Sequence, residues 1–158
     1  MKTTTGILDI MLATTHVITS IPLGIHFSNP LVIFFTSCAL HFVLDSLLHW
    51  NIYPQKFKRY PYGLVGLDIA SGIVVGWFAI GNQLFTLPIL IAITGGLAPD
   101  ILHGLWFIAK PRTRNKYLKW MDPFFKFHDK VQKETHNIAK GIIWQIIVIS
   151  VALIAMVI

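Results

Sequence analysis

Three ionisable residues stand at four-residue steps in the apolar stretch HFVLDSLLHW: His41, Asp45 and His49. The same residue types recur elsewhere at helical spacing. Asp9 and His16 are seven apart and continued by Ser20; Asp100 and His103 are three apart; His128, Gln132 and His136 again step by four. At about 100° per residue, each set lies on one face of a helix. Asp68 adds a further carboxylate in GLVGLDIASG. Histidine and aspartate together, without thiolates, are ligands for Zn²⁺, Mn²⁺ or Fe²⁺. The candidates outnumber what one tetrahedral ion requires. One or two ions are therefore expected, zinc foremost, with a carboxylate bridging them if there are two. The single cysteine, Cys38, gives no disulfide framework and no thiolate cluster, and reads as a small packing residue.

The elements that position these residues are set by composition. Of 158 residues, 54% are apolar and only 13% charged, with a mean hydropathy of +0.65. That balance indicates a membrane protein. Five segments approach the roughly 20 residues needed to span a bilayer: about 6–24, 30–50, 63–82, 87–109 and 138–158. The opening MKTTTGILDIMLATTHVITSIPLG is interrupted by Asp9 and His16 and has no small-residue cleavage pattern, so it reads as a retained first helix rather than a signal peptide. The expected architecture is an all-α integral membrane bundle of about five spans, one domain over 1–158. A basic, amphipathic segment at 110–137 lies on the surface, broken at Pro123, with Phe124, Phe125 and Phe127 dipping into lipid.

Charge gives the orientation. All 13 Lys and Arg residues fall before the first span, between the second and third, or between the fourth and fifth and at the fifth's start. The positive-inside rule then places the N-terminus in the cytoplasm and the C-terminus outside, in an inner or plasma membrane. The basic segments fit anionic lipid headgroups as partners, and no nucleic acid is expected. The oligomeric state stays open.

An ionisable group inside a span costs at least about 2.5–3.5 kcal/mol, so it usually has a partner or a purpose. In the five-span arrangement Asp45, His49, Asp68, Asp100 and His103 share one depth, the cytoplasmic leaflet, where a common site explains them together. His16, His128 or His136 would complete a metal shell. His41, one turn deeper, is read as a helix–helix hydrogen-bond partner that supports the site, and Asp9 as a cap or surface ion-pair partner. Gly95 and Gly96 before Pro99 suggest a kink next to Asp100. Gly72 and Gly76 suggest close helix packing.

The stretches TTHVITSIPLG (14–24), HFVLDSLLHW (41–50), LAPDILHG (97–104) and KETHN (133–137) resemble the membrane-bound metal-dependent hydrolases described as LexA-binding, inner-membrane-associated hydrolases. On that resemblance His16 matches the early histidine, Asp100 and His103 the outer pair of a P-D-x-D-H block, and His136 the histidine of a T-H-S motif. Asp45 and His49 look like a second block of the same kind. The chain departs at Leu102, where the block has aspartate, and at Asn137, where the motif has serine; no H-R-G precedes Thr135. A more distant similarity is to zinc-dependent phospholipases C. The resemblance implies a metal-dependent hydrolase.

The expected function is hydrolysis of a phosphoester or lipid headgroup at the cytoplasmic leaflet. Metal ligands come from His16, Asp45, His49, Asp100, His103 and His128. Asp68 and His136 serve as catalytic acid or base. Lys110, Arg112, Arg114 and Gln132 hold the substrate. The alternatives are an ion or proton pathway through the same Asp/His layer, or a membrane scaffold with a structural metal. The nearly bare outer halves of the spans favour the enzyme.

Overall fold

The structure is a computed structural model that describes residues 10–52, 63–108 and 118–158. Its elements are β1 (Ile10–Met11), α1 (Ala13–His26), α2 (Pro30–Asp45), β2 (Asn51–Ile52), α3 (Gly63–Ile80), α4 (Leu87–Ile108), α5 (Asp122–Val131) and α6 (Ile138–Ala155). A 3₁₀ turn at Gly81–Phe85 joins α3 to α4, and another at Lys119–Met121 precedes α5. The regular structure among the described residues is helical apart from the two-residue antiparallel pair β1–β2 and one isolated bridge, His49 with Glu134.

Local chemistry sets several helix ends. Asn29 caps α2, its side-chain oxygen accepting from the Leu31 and Val32 amides at 3.0 and 3.3 Å, with Pro30 at the first helical position. Asn137 caps α6 by accepting from the Lys140 amide at 3.0 Å. Pro123 opens α5 instead of breaking a longer helix, because at the first turn its missing N–H has no helical partner to lose.

Among the described residues, three helical stretches are long and apolar enough to cross a membrane: Gly63–Phe85, Leu87–Trp106 and Ile138–Ala155. The first two expected spans are shorter than the sequence suggests. α1 begins at Ala13, since residues 10–11 are extended and paired with 51–52, and α2 ends at Asp45. At 1.5 Å per residue these helices are about 21 and 24 Å long, short of a hydrocarbon core of about 30 Å.

α1 is the central helix. From Ala13 to Gly24 nearly every residue is buried, against α2, α3, α4 and α6. In α3, by contrast, only Gly72 and Gly76 are buried. A Cβ on Gly72 would stand 2.9 Å from the Val17 side chain and one on Gly76 2.8 Å from that of Ile21, so the two glycines let α3 pack closely on α1. The remaining faces expose large apolar side chains such as Leu31, Phe35, Leu67 and Phe78. Contiguous apolar surface on this scale suits lipid rather than water.

The core divides along α1. Ile18, Ile21, Leu84, Ile89, Ala152 and Met156 form an apolar cluster toward its C-terminal end, where His26 Nε2 lies 2.8 Å from the Ala155 carbonyl. The polar residues gather toward its N-terminal end. α4 runs without interruption through Pro99, so the helix does not break next to Asp100. Gly95 and Gly96 serve close approach instead. A Cβ on Gly95 would meet the Phe34 carbonyl of α2 at 2.6 Å, and one on Gly96 would collide with Ser20 Oγ of α1.

Candidate metal centre

α1, α2, α4 and α5 bring His16, His41, Asp45, Asp100, His103 and His128 together, each with a relative exposure of 7% or less. Four of their atoms form a compact group. His41 Nε2 is 3.1 Å from His128 Nε2. Asp45 Oδ2 is 3.2 Å from each of these nitrogens, and Asp100 Oδ1 is 3.7 and 3.4 Å from them. A tetrahedral ion with donors at about 2.0–2.1 Å holds those donors about 3.3–3.4 Å apart. The five observed distances, 3.1–3.7 Å, bracket that figure.

Three histidine nitrogens crowd the Asp45 carboxylate at 3.2–3.4 Å, yet the contacts are poorly directed for hydrogen bonding and all four oxygens of Asp45 and Asp100 are buried without a well-formed one. Burying two carboxylates unsatisfied is expensive, and a cation at the centre removes the cost. The donor set, two imidazoles and two carboxylates, fits a divalent transition ion.

Outer contacts orient the donors. His41 Nδ1 donates to the Gly96 carbonyl at 2.8 Å, which leaves Nε2 of the neutral ring as a lone pair facing the group. His128 Nδ1 lies 3.0 Å from His103 Nδ1, and His103 Nε2 faces Asp129 Oδ1 at 3.6 Å. With protons on His128 Nδ1 and His103 Nε2, every contact in this row is complementary and His128 Nε2 is free for an ion. Partial burial raises the Asp129 carboxyl above its ordinary range, with His128 acting in the opposite direction.

His128 is delivered by α5, which ring contacts and backbone hydrogen bonds hold in place. Phe125 stacks on His103 at 5.1 Å and packs against Trp106 at 4.9 Å. Phe42, on α2, meets Phe124, Phe127 and His128 at 5.9, 5.4 and 5.7 Å. Beyond α5 the chain lies along the end of α2, where the Lys133 amide donates to the Asp45 carbonyl and the Thr135 amide to the His49 carbonyl, both at 2.9 Å. Phe125 is thus a buried clamp rather than a lipid contact, while Phe127 stays half exposed.

The other expected site residues lie elsewhere. His49 falls beyond the end of α2 in extended backbone, so it leaves the helical stripe of His41 and Asp45; its Nδ1 donates to the Leu47 carbonyl at 2.7 Å. Asp68 holds the N-terminus of α1. Its Oδ1 accepts from the Thr14 hydroxyl at 2.6 Å and its Oδ2 from the Thr14 amide at 3.3 Å. A carboxylate there complements the helix dipole. His136 is exposed, and Gln132 is buried just past α5. Asp9, Lys110, Arg112 and Arg114 lie outside the described residues. Asp129 and Gly96 were not anticipated as site residues. Asp129 carried a signal, being adjacent to His128, whereas a backbone carbonyl carries none. Comparison with family models, with curated proteins and with solved structures gave no match for this chain.

Proposed function

We propose that the protein is a membrane-embedded, metal-dependent hydrolase acting on a phosphoester or lipid headgroup at the cytoplasmic leaflet. The observation that carries this is the close convergence of His41 Nε2, Asp45 Oδ2, Asp100 Oδ1 and His128 Nε2 in the core. A divalent ion, zinc foremost, would supply Lewis acidity and activate water at neutral pH. The chain's own residues hold and orient it. Asp45 and Asp100 balance its charge, Gly96 fixes the His41 ring, and His103 with Asp129 fixes the His128 ring. Of the four donors, Asp100 has the most exposure, 7%, on α4 beside α5, which makes that edge the approach for substrate. Exposed Lys126, Lys130 and Lys133, with exposed Trp120 and Phe127, give the same end a basic and aromatic surface suited to anionic headgroups.

A continuous ion or proton pathway fits less well. The polar line extends from His16 and His41 to Ser20 and Ser37. One turn further it meets buried Ile33 on α2, and Gly24 of α1 closed against the backbone of Ile89.

Elemental analysis of the purified full-length protein should find at least one divalent transition ion per chain. That ion should be lost in the Asp45→Ala, Asp100→Ala double variant. Wild type should release headgroup or phosphate from mixed-lipid vesicles, and the double variant should not. Metal-free wild type sinks the metal centre. A metal-loaded wild type that releases nothing sinks the hydrolase and leaves a structural metal, and cation flux across proteoliposomes would redirect the reading to transport.

A further inference from the structure

The four-atom group leaves several buried acceptors unused. Asp45 contributes Oδ2, while its Oδ1 faces His16 Nε2 at 3.4 Å. His16 is fully buried; its Nε2 faces Asp45 Oδ1 without well-formed hydrogen-bond geometry, and its Nδ1 has no hydrogen-bond partner. Asp100 contributes Oδ1, and its buried Oδ2 is likewise without a donor. The rings of His16 and His41 lie face to face, 4.1 Å between centroids and 25° between planes. Each therefore presents Nε2 to a different oxygen of the same carboxylate. A neutral histidine placed here only for packing would leave two polar atoms uncompensated in the centre of the bundle.

We infer that the centre holds two divalent ions bridged by Asp45, the second bound by His16 Nε2 and Asp45 Oδ1. This rests on the proposed metal centre and extends it. Paired ions in hydrolytic sites stand about 3.5–4 Å apart, a separation that a carboxylate spanning both can set. Charge then indicates the substrate class. Two divalent ions carry four positive charges against two from Asp45 and Asp100, so the loaded centre favours an anionic ligand able to bridge both ions, as a phosphate group does.

The test is metal stoichiometry with Mn(II) as probe, using the full-length chain in detergent. Wild type should bind two ions and give the electron paramagnetic resonance spectrum of an exchange-coupled pair. His16→Gln, close in size to the native residue, should bind one and give the six-line signal of isolated Mn(II). Inorganic phosphate should perturb the coupled spectrum and leave the Mn(II) signal of the His16→Gln variant much less changed. Wild type binding one ion, or two ions without coupling, overturns the second site and leaves the first intact. Wild type binding none overturns both. The wild-type spectrum decides the matter even if the variant fails to fold.

Discussion

At the scale of single residues, the two histidines that flank Asp45 exchange the roles expected of them. His41 and His49 are both one four-residue step from Asp45. Only His41 stays on the helix, because α2 ends at Asp45 and the next residues turn away. His41→Ala should therefore lower metal affinity by well over tenfold, measured by competition with a chelator. His49→Ala should leave affinity nearly unchanged, although His49 is fully buried and its loss will cost stability. Equal loss of metal from both variants would return His49 to the centre. Asp68 gives a parallel contrast. Asp68→Asn should destabilise the protein by about 0.5–2 kcal/mol through the N-terminus of α1, with metal content intact. Ligand types were legible from the sequence. Which of them converge was not, since that depends on where each helix stops.

At the scale of elements, the site depends on two close approaches. α1 and α4 meet where Gly96 has no Cβ, and the same residue's carbonyl orients His41. Gly96→Ala should destabilise by about 1–3 kcal/mol through overpacking against Ser20. Adding Ser20→Ala should recover much of that, which thermal unfolding in detergent would show; no recovery would place the strain elsewhere. α5 is the second case. It is ten residues long, too short to be stable alone, so its docking depends on Phe125 and on contacts with Phe42. Phe125→Ala should cost about 3–5 kcal/mol if the site cannot collapse. It should also weaken metal binding, because α5 carries His128. The amphipathic character of 110–137 and the signal at Pro123 were readable in the sequence. That the helix turns a phenylalanine inward, onto His103, was not, because the same periodicity serves a lipid surface and a protein surface.

For the whole molecule, the distribution of charge makes orientation a prediction: by the positive-inside rule the α5 end should face the cytoplasm. In a Cys38→Ser background, an impermeant maleimide applied to intact cells should label Val157→Cys and not Lys133→Cys. The reverse pattern would invert the protein. Sequence by itself determined the helical class, the presence of apolar helices long enough to span a membrane, and the Asp/His character of the cluster, because these follow from composition and local periodicity. Tertiary structure decided the rest. The first segment looks the weakest span, with Thr14, Thr15, His16, Thr19 and Ser20 in one helix, yet it is the hub, surrounded by other helices and shielded from lipid. A polar helix is costly against hydrocarbon but not against partners that satisfy it, and no property of the helix alone specifies its surroundings. The same reason separates His41, Asp45, Asp100 and His128 from the other candidates. Coordination requires four atoms within a few ångströms, and only the packing of three separate helices sets those distances.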